Sequence, residues 1–297
     1  MRSLYFFFQL LKFKLSITVV FSALIGYLIG VEQFDLKVFI YLIVGGFLVT
    51  GSANAFNQII EKDKDKLMKR TSVRPLPMGR ISVYQALLFT VFIGFFGLYL
   101  LNLINPYTGF YGILSKSSFF GLLSILLYVL SYTPLKRVST ISIFVGAVPG
   151  AIPFLLGYVA ATDDFDLTAG ILFAIQFFWQ FPHFISISWV LDEEYKKASF
   201  KMLFGGKKNS FPIIISIITT IFLIILTVIP YFLETNLHLS IIGFILIFLL
   251  GIWFLYKSLY LLYNQDDYSA KKLMTSSFIY LPLIQLVYLL DKYINFF

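Results

Sequence analysis

Asn57, Glu61 and Asp65 stand four residues apart, the spacing that stacks side chains along one helix face with a drift of only about 40° per step. Asp63 falls off that face on a regular helix, so fraying or a turn is expected at this point. Carboxylates this close repel and raise one another's pKa unless a cation intervenes. Hard cations such as Mg2+ take oxygen ligands, usually one or two carboxylates per ion, completed by phosphate oxygens and water. Lys69, Arg70 and Arg74 follow at once. A second acidic group, Asp192, Glu193 and Glu194, has its own cations in Lys196 and Lys197. Two such groups suit a diphosphate held through metal bridges, with the basic residues taking the remaining phosphate charge. The plain alternative is a solvated loop of balanced charges. Against it, the Asn–Glu–Asp register continues out of a long apolar run, and the second group follows another, WQFPHFISISWVL, with no loop between.

Two further sites are candidates by type and place. Tyr132 and Lys136 are four apart in SYTPLKRVST, and Pro134 between them allows a bend that turns both inward; an interfacial Tyr and Lys anchor reads equally well from spacing alone. His183 lies well inside an apolar stretch, between Gln180, Pro182 and more aromatic residues. An ionisable group so placed is a functional candidate, able to ligate iron or move a proton, or else a histidine bonded between helices. Asp163, Asp164 and Asp166 read as a solvated loop with no basic residue nearby, and Asp266 and Asp267 as another loop.

The elements that must position these residues are membrane spans. Among 297 residues only 13% are charged, 35 are Phe, and the mean hydropathy is +0.87, against a charged share of about 25% in soluble domains. Apolar stretches at 15–30, 38–58, 83–104, 117–133, 141–160, 168–190, 211–233, 239–262 and 274–291 are each near the length of about 20 residues that a crossing needs. The expected fold is all-α: a polytopic membrane protein of about nine transmembrane helices, one domain over residues 1–297. With the N-terminus on the cytoplasmic side, 20 of the 23 Lys and Arg fall on that side, as basic residues do in cytoplasmic loops. Both acidic groups then lie at the cytoplasmic mouth, in the cell membrane. The +8 net charge is accounted for by topology and anionic headgroups, with no nucleic acid partner. Cysteine is absent, which excludes disulfides, thiolate metal sites and a cysteine nucleophile. The apolar N-terminal run lacks a small-residue cleavage site and reads as a retained helix.

These residues resemble a known family, the intramembrane aromatic prenyltransferases, and within it the branch of protoheme IX farnesyltransferases. The resemblance rests on NQIIEKDKDKLMKRTSVRPLPMGRIS from 57, YTPLKR from 132, GAVPGAIPFLLGY from 146, FWQFPHF from 178 and LDEEYKKASFKML from 191. The first acidic motif marks the superfamily; the KRT-x-x-RPLP-x-G continuation, GAxPGAxP and WQxPHF together mark the branch. The resemblance implies nine helices around a central cavity, with Mg2+ and farnesyl diphosphate at its mouth, heme B as the acceptor, and a heme A synthase receiving the product. Position by position it implies metal ligation by Asn57, Glu61, Asp63, Asp65, Glu193 and Glu194, and catalysis by Asn57, Glu61, Asp65, Glu194, Tyr132 and Lys136. Lys69, Arg70, Arg74, Arg137 and Tyr195 are expected to bind substrate, and His183 to face heme.

Departures from the family pattern are few. Glu61 stands where Asp is usual, and Phe13 replaces a proline often found after the first-helix lysine. Ser199, Phe200 and Lys201 replace a Gly, an apolar residue and a Pro, which touches the geometry of an active-site loop. Two rival functions fit less of the sequence. One is a related prenyltransferase acting on an aromatic acid or quinone precursor. The other is a transporter, disfavoured because no internal repeat is visible and the charges gather on one face.

Overall fold

Most of the spans begin where a short polar side chain can take up the free N–H groups of a first turn. Asp35 accepts from Lys37 and Val38, Ser82 forms a reciprocal capping box with Gln85, and Ser115, Asp166, Asn209 and Ser240 cap in the same way. The computed structural model describes residues 2–106, 112–237 and 239–294. In chain order the α-helices are α1 Arg2–Leu10, α2 Phe13–Gly30, α3 Leu36–Ile60, α4 Lys62–Asp65, α5 Val83–Asn102, α6 Lys116–Leu126, α7 Thr133–Leu135, α8 Ser142–Thr162, α9 Leu167–Val190, α10 Asp192–Lys197, α11 Ser210–Val228, α12 Ile241–Asn264 and α13 Asp267–Ile294. There is no strand among the described residues.

Nine segments among the described residues are long and apolar enough to cross a membrane: α2, α3, α5, Lys116–Leu135, α8, α9, Ser210–Tyr231, α12 and α13. They coincide with the nine apolar stretches of the sequence to within a few residues at most ends, although α13 begins seven residues before its stretch. The protein is therefore a multi-pass membrane protein. Helix α1 has no counterpart in that reading, because nine residues are too few for a span and show no stop signal before Lys12.

Helix α8 is the middle of the bundle, with 72% of its span buried. It crosses α2 with no room for a side chain: a Cβ on Gly157 would lie 1.8 Å from the Ala23 carbonyl oxygen. Pro153 removes the N–H that would have met the Pro149 carbonyl. Ser124 Oγ on α6 donates to that oxygen instead, at 3.4 Å, as bilayer helices with internal proline require.

The spans alternate so that the ends of α3, α7 and α9 meet on one face. Arg137 Nη2 donates to the Ile60 carbonyl at 3.1 Å, the Arg70 N–H approaches Glu194 Oε2 at 3.5 Å, and the Lys201 N–H donates to the Lys136 carbonyl at 2.6 Å. On the opposite face Asp163 pairs with Lys116 at 3.4 Å, and Lys292 donates to the carbonyls of Leu28, Ile29 and Val31 at the end of α2. Asp163 thus has a basic partner, contrary to the sequence reading. Asp166, expected in a solvated loop, is the cap of α9 and accepts a hydrogen bond from the Tyr158 hydroxyl at 2.8 Å.

Candidate active site

The site begins on the last turns of α3, where Asn57 is buried and its amide nitrogen donates to Thr133 Oγ1 at 3.2 Å. That bond consumes an N–H and leaves the amide oxygen free to accept or ligate. The helix then breaks. Glu61 sits at φ −94°, ψ 6° between α3 and α4, so Asp65 follows it on a separate short turn. Both carboxylates are nonetheless buried, Glu61 4% and Asp65 1% exposed. The expected turn at Asp63 is present, and it sends this side chain outward: Asp63 is 88% exposed and pairs with Lys66 at 3.1 Å.

Each buried acid is held by one of the cations expected on a phosphate. Arg74 Nη1 donates to Asp65 Oδ2 at 2.7 Å, and Lys136 Nζ stands 2.6 Å from Glu61 Oε1. The second contact is an ion pair without hydrogen-bond geometry, and Asp65 Oδ1 has no partner at all. Buried carboxylate oxygens in that condition are costly, which is the state expected of ligands prepared for a cation. Burial raises the Asp65 pKa, with Arg74 acting against it.

Lys136 is delivered by an irregular stretch. After Leu126 the chain makes a π-turn, Leu127–Tyr132, followed by the three residues of α7, a feature frequent at functional sites. Its ammonium lies 4.6 Å from the centroid of the Tyr132 ring and 5.6 Å from that of Phe200. Tyr132 in turn fits only because α8 carries Gly146 opposite, where a Cβ would come within 2.6 Å of the ring. The glycine of GAVPGAIP nearest the mouth is thus a seat for Tyr132.

The second acidic group meets the first through the loop after α4. Glu194 approaches the Arg70 N–H and pairs with Lys197 at 3.9 Å. Glu193 is exposed, whereas Asp192, which the sequence reading left outside the site, is buried and paired with Lys196 at 2.5 Å. Burial raises the Tyr195 hydroxyl, whose charged neighbours are Arg70, Lys136, Glu61 and Arg74. Lys69 and Arg70 are exposed at the rim, and Arg137 ties α7 to the end of α3. A recess of about 420 Å3, lined in part by Ser139, Asp192, Lys196 and Phe200, opens behind the second group.

His183 is apart from this cluster, between α9 and α13. It stacks on Trp179 at 4.6 Å, meets Phe278 edge-on at 4.8 Å, and places Nδ1 2.8 Å from Ser277 Oγ. The Ser277 hydroxyl donates its one hydrogen to the Met274 carbonyl at 2.6 Å. It must therefore accept from the ring, which assigns the hydrogen to Nδ1 and leaves the lone pair on Nε2.

The donor set of the cluster is all oxygen, which fits Mg2+. No group of three or more His, Cys, Asp or Glu side chains converges among the described residues. The protein thus offers two carboxylates and an amide, and leaves other positions to phosphate and water.

Comparison with known proteins decides the family. The pattern of the UbiA prenyltransferase family matches residues 19–281. The chain belongs to the UbiA prenyltransferase family. The prenyltransferase is 47% identical to the protoheme IX farnesyltransferase of Flavobacterium psychrophilum over 97% of its own length and 94% of that protein's. It is 46% identical to the protein of the same name from Christiangramia forsetii, over 97% and 93%. Among solved structures, one reported for digeranylgeranylglyceryl phosphate synthase superposes with a TM-score of 0.80 at 23% identity, covering 98% of this chain and 99% of that one. A UbiA homolog from Archaeoglobus fulgidus bound to DMAPP and Mg2+ superposes at 0.69 with 17% identity, over 95% and 97%.

Sequence reasoning about the prenyltransferase missed Thr133, although it lies inside YTPLKR. Nothing marks a threonine as the residue that orients Asn57 until two helices are seen side by side.

Proposed function

We propose that this prenyltransferase transfers the farnesyl group of farnesyl diphosphate to the 2-vinyl group of heme B, forming heme O. The observation that carries the reading is the buried Asn57–Glu61–Asp65 line with its unpartnered carboxylate oxygen, flanked by Arg74 and Lys136. The near full-length relatives called protoheme IX farnesyltransferase supply the acceptor, and the bound DMAPP and Mg2+ of the archaeal homolog support a metal-held diphosphate.

Asn57, Glu61 and Asp65 would hold Mg2+, which as a Lewis acid draws charge from the diphosphate leaving group. Arg74 and Lys136 exchange their carboxylate partners for phosphate oxygens and stabilise the charge that develops as the allylic C–O bond breaks. The Tyr132 ring presents a π-face to the resulting farnesyl cation, a favourable contact where water is scarce. The cation forms a carbon–carbon bond with the terminal vinyl carbon of heme B. The positive charge passes to the carbon beside the porphyrin, where water adds and a proton leaves. His183, with its free Nε2, faces heme in this reading.

The mouth and the N-terminus lie on the cytoplasmic side of the cell membrane, an orientation supported by the placement of 20 of 23 basic residues. The test is pigment mass after incubating purified protein with heme B, farnesyl diphosphate and Mg2+. Heme O is the expected product; unchanged heme B beside a protein that prenylates an added phenol would overturn the assignment.

A further inference from the structure

Between α1 and α2 the chain makes a kink that the acid cluster does not itself require. Lys12 adopts φ 45°, ψ 58°, a left-handed conformation unfavourable for a side chain without a local reason. Three contacts hold it there. Gln58, next to Asn57 in the first motif, donates through Nε2 to the Leu10 carbonyl at 2.8 Å. Ser16 Oγ donates to the Leu11 carbonyl at 2.7 Å, and Asn54 Nδ2 reaches that same Ser16 oxygen at 3.4 Å. Gln58, Asn54 and Ser16 are all buried. Helix α3 thus grips the two residues before Lys12 one turn from where it presents Asn57 and Glu61.

The kink aims the lysine at the site. The charged groups that act on its ammonium are Arg74, Lys136, Glu61 and Asp65, the four members of the two ion pairs. Those pairs cancel: Arg74 answers Asp65 and Lys136 answers Glu61. Lys12 is left over, and among the described residues no acceptor or carboxylate is within bonding reach of its nitrogen. Burial, then the nearby Arg74 and Lys136, bring this ammonium down to about 7, so nothing in the ligand-free protein rewards its charge. A strained backbone, a triple clamp and an uncompensated cation have a common explanation in an absent anion.

We infer that Lys12 is a direct ligand of the substrate diphosphate, a third cation beside Arg74 and Lys136, placed by the kink between α1 and α2. The inference rests on the prenyltransferase reading and adds to it a residue before the first span. Phosphate oxygens supply the negative charge the lysine lacks, and a charge-assisted hydrogen bond in that setting is among the stronger ones.

The experiment compares the full-length protein with Lys12→Met and Lys12→Arg in detergent. It measures dissociation constants for Mg2+ with farnesyl diphosphate and for Mg2+ with inorganic diphosphate, heme B uptake by absorbance, and thermal midpoint. Lys12→Met is expected to weaken both diphosphate complexes by about tenfold or more, leave heme B uptake unchanged, and keep or raise the midpoint, because a buried cation without a partner is removed. Lys12→Arg is expected to stay within about threefold of the original protein. Wild-type diphosphate affinity in Lys12→Met overturns the inference while the prenyltransferase reading stands. So does selective loss of heme B uptake, which would assign the ammonium to a propionate. A lowered midpoint that Lys12→Arg does not rescue makes the residue structural. Failure of the unaltered protein to bind either diphosphate with Mg2+ defeats both readings together.

Discussion

The two rims of this bundle both bury acids, but they treat them in opposite ways. On the outer rim every oxygen of Asp166 is used: Oδ1 accepts from the Ala169 N–H, and Oδ2 from the Tyr158 hydroxyl and the Asn236 amide. Asp291 there accepts from both the N–H and the hydroxyl of Ser240. On the inner rim Asp65 keeps one oxygen bare, and Glu61 has only an ion contact. Burial is similar in kind, so depth alone does not mark function. What separates the rims is whether the protein finishes its own hydrogen bonds. The backbone follows the same division. Positive φ falls on Asn105 and Asp163 outside, residue types that tolerate it, and on Lys12 and Ser199 inside, which do not.

The sharpest way to break this contrast is to remove one acid from each rim. Asp65→Ala is expected to lower prenyl transfer by about a thousandfold or more, while the protein still elutes as a folded species, since the deleted group was unsatisfied on one side. Near-normal turnover in that variant would dissolve the distinction. Asp166→Ala is expected to do the reverse, lowering stability by about 1–2 kcal/mol through the lost cap and its partners with transfer within about twofold, measured by thermal denaturation beside the same assay. A smaller effect is expected at Ser199, whose φ of 59° suits glycine. Ser199→Gly should stabilise the protein by up to about 1 kcal/mol, seen as a modest rise in thermal midpoint. No rise would mean the left-handed loop position carries no strain.

The sequence made the spans legible because a bilayer imposes one length and one polarity on every crossing, and Lys/Arg asymmetry then phases them. Asn57, Glu61, Asp65, Arg74, Tyr132 and Lys136 were legible as a set through type and spacing. Partner choice was not. Spacing of four put Arg74 and Lys136 on a phosphate, and only the folded backbone shows them resting on Asp65 and Glu61. Asp63 and Glu193 are acids of the right type, yet they point outward because each lies within one short turn whose inward face another acid already occupies. Asp192 went unnoticed for the complementary reason: burial of a carboxylate beside Lys196 depends on the chain from Phe200 to Gly206 folding over it. The same loop shows why a departure from the family pattern can be accommodated. Lys201 has an N–H to give to the Lys136 carbonyl, which the usual proline would lack.

The π-turn before α7 holds one residue more than an α-turn would. Deleting a lipid-facing residue within it, such as the exposed Leu130, would preserve hydropathy, span length and every recognisable motif. It would also wind the segment back into ordinary helix and swing everything downstream by about 100°, carrying Lys136 away from Glu61. For this chain a one-codon gap in the fourth crossing would be a more damaging lesion than many substitutions at charged positions, and one that a comparison of motifs would pass over.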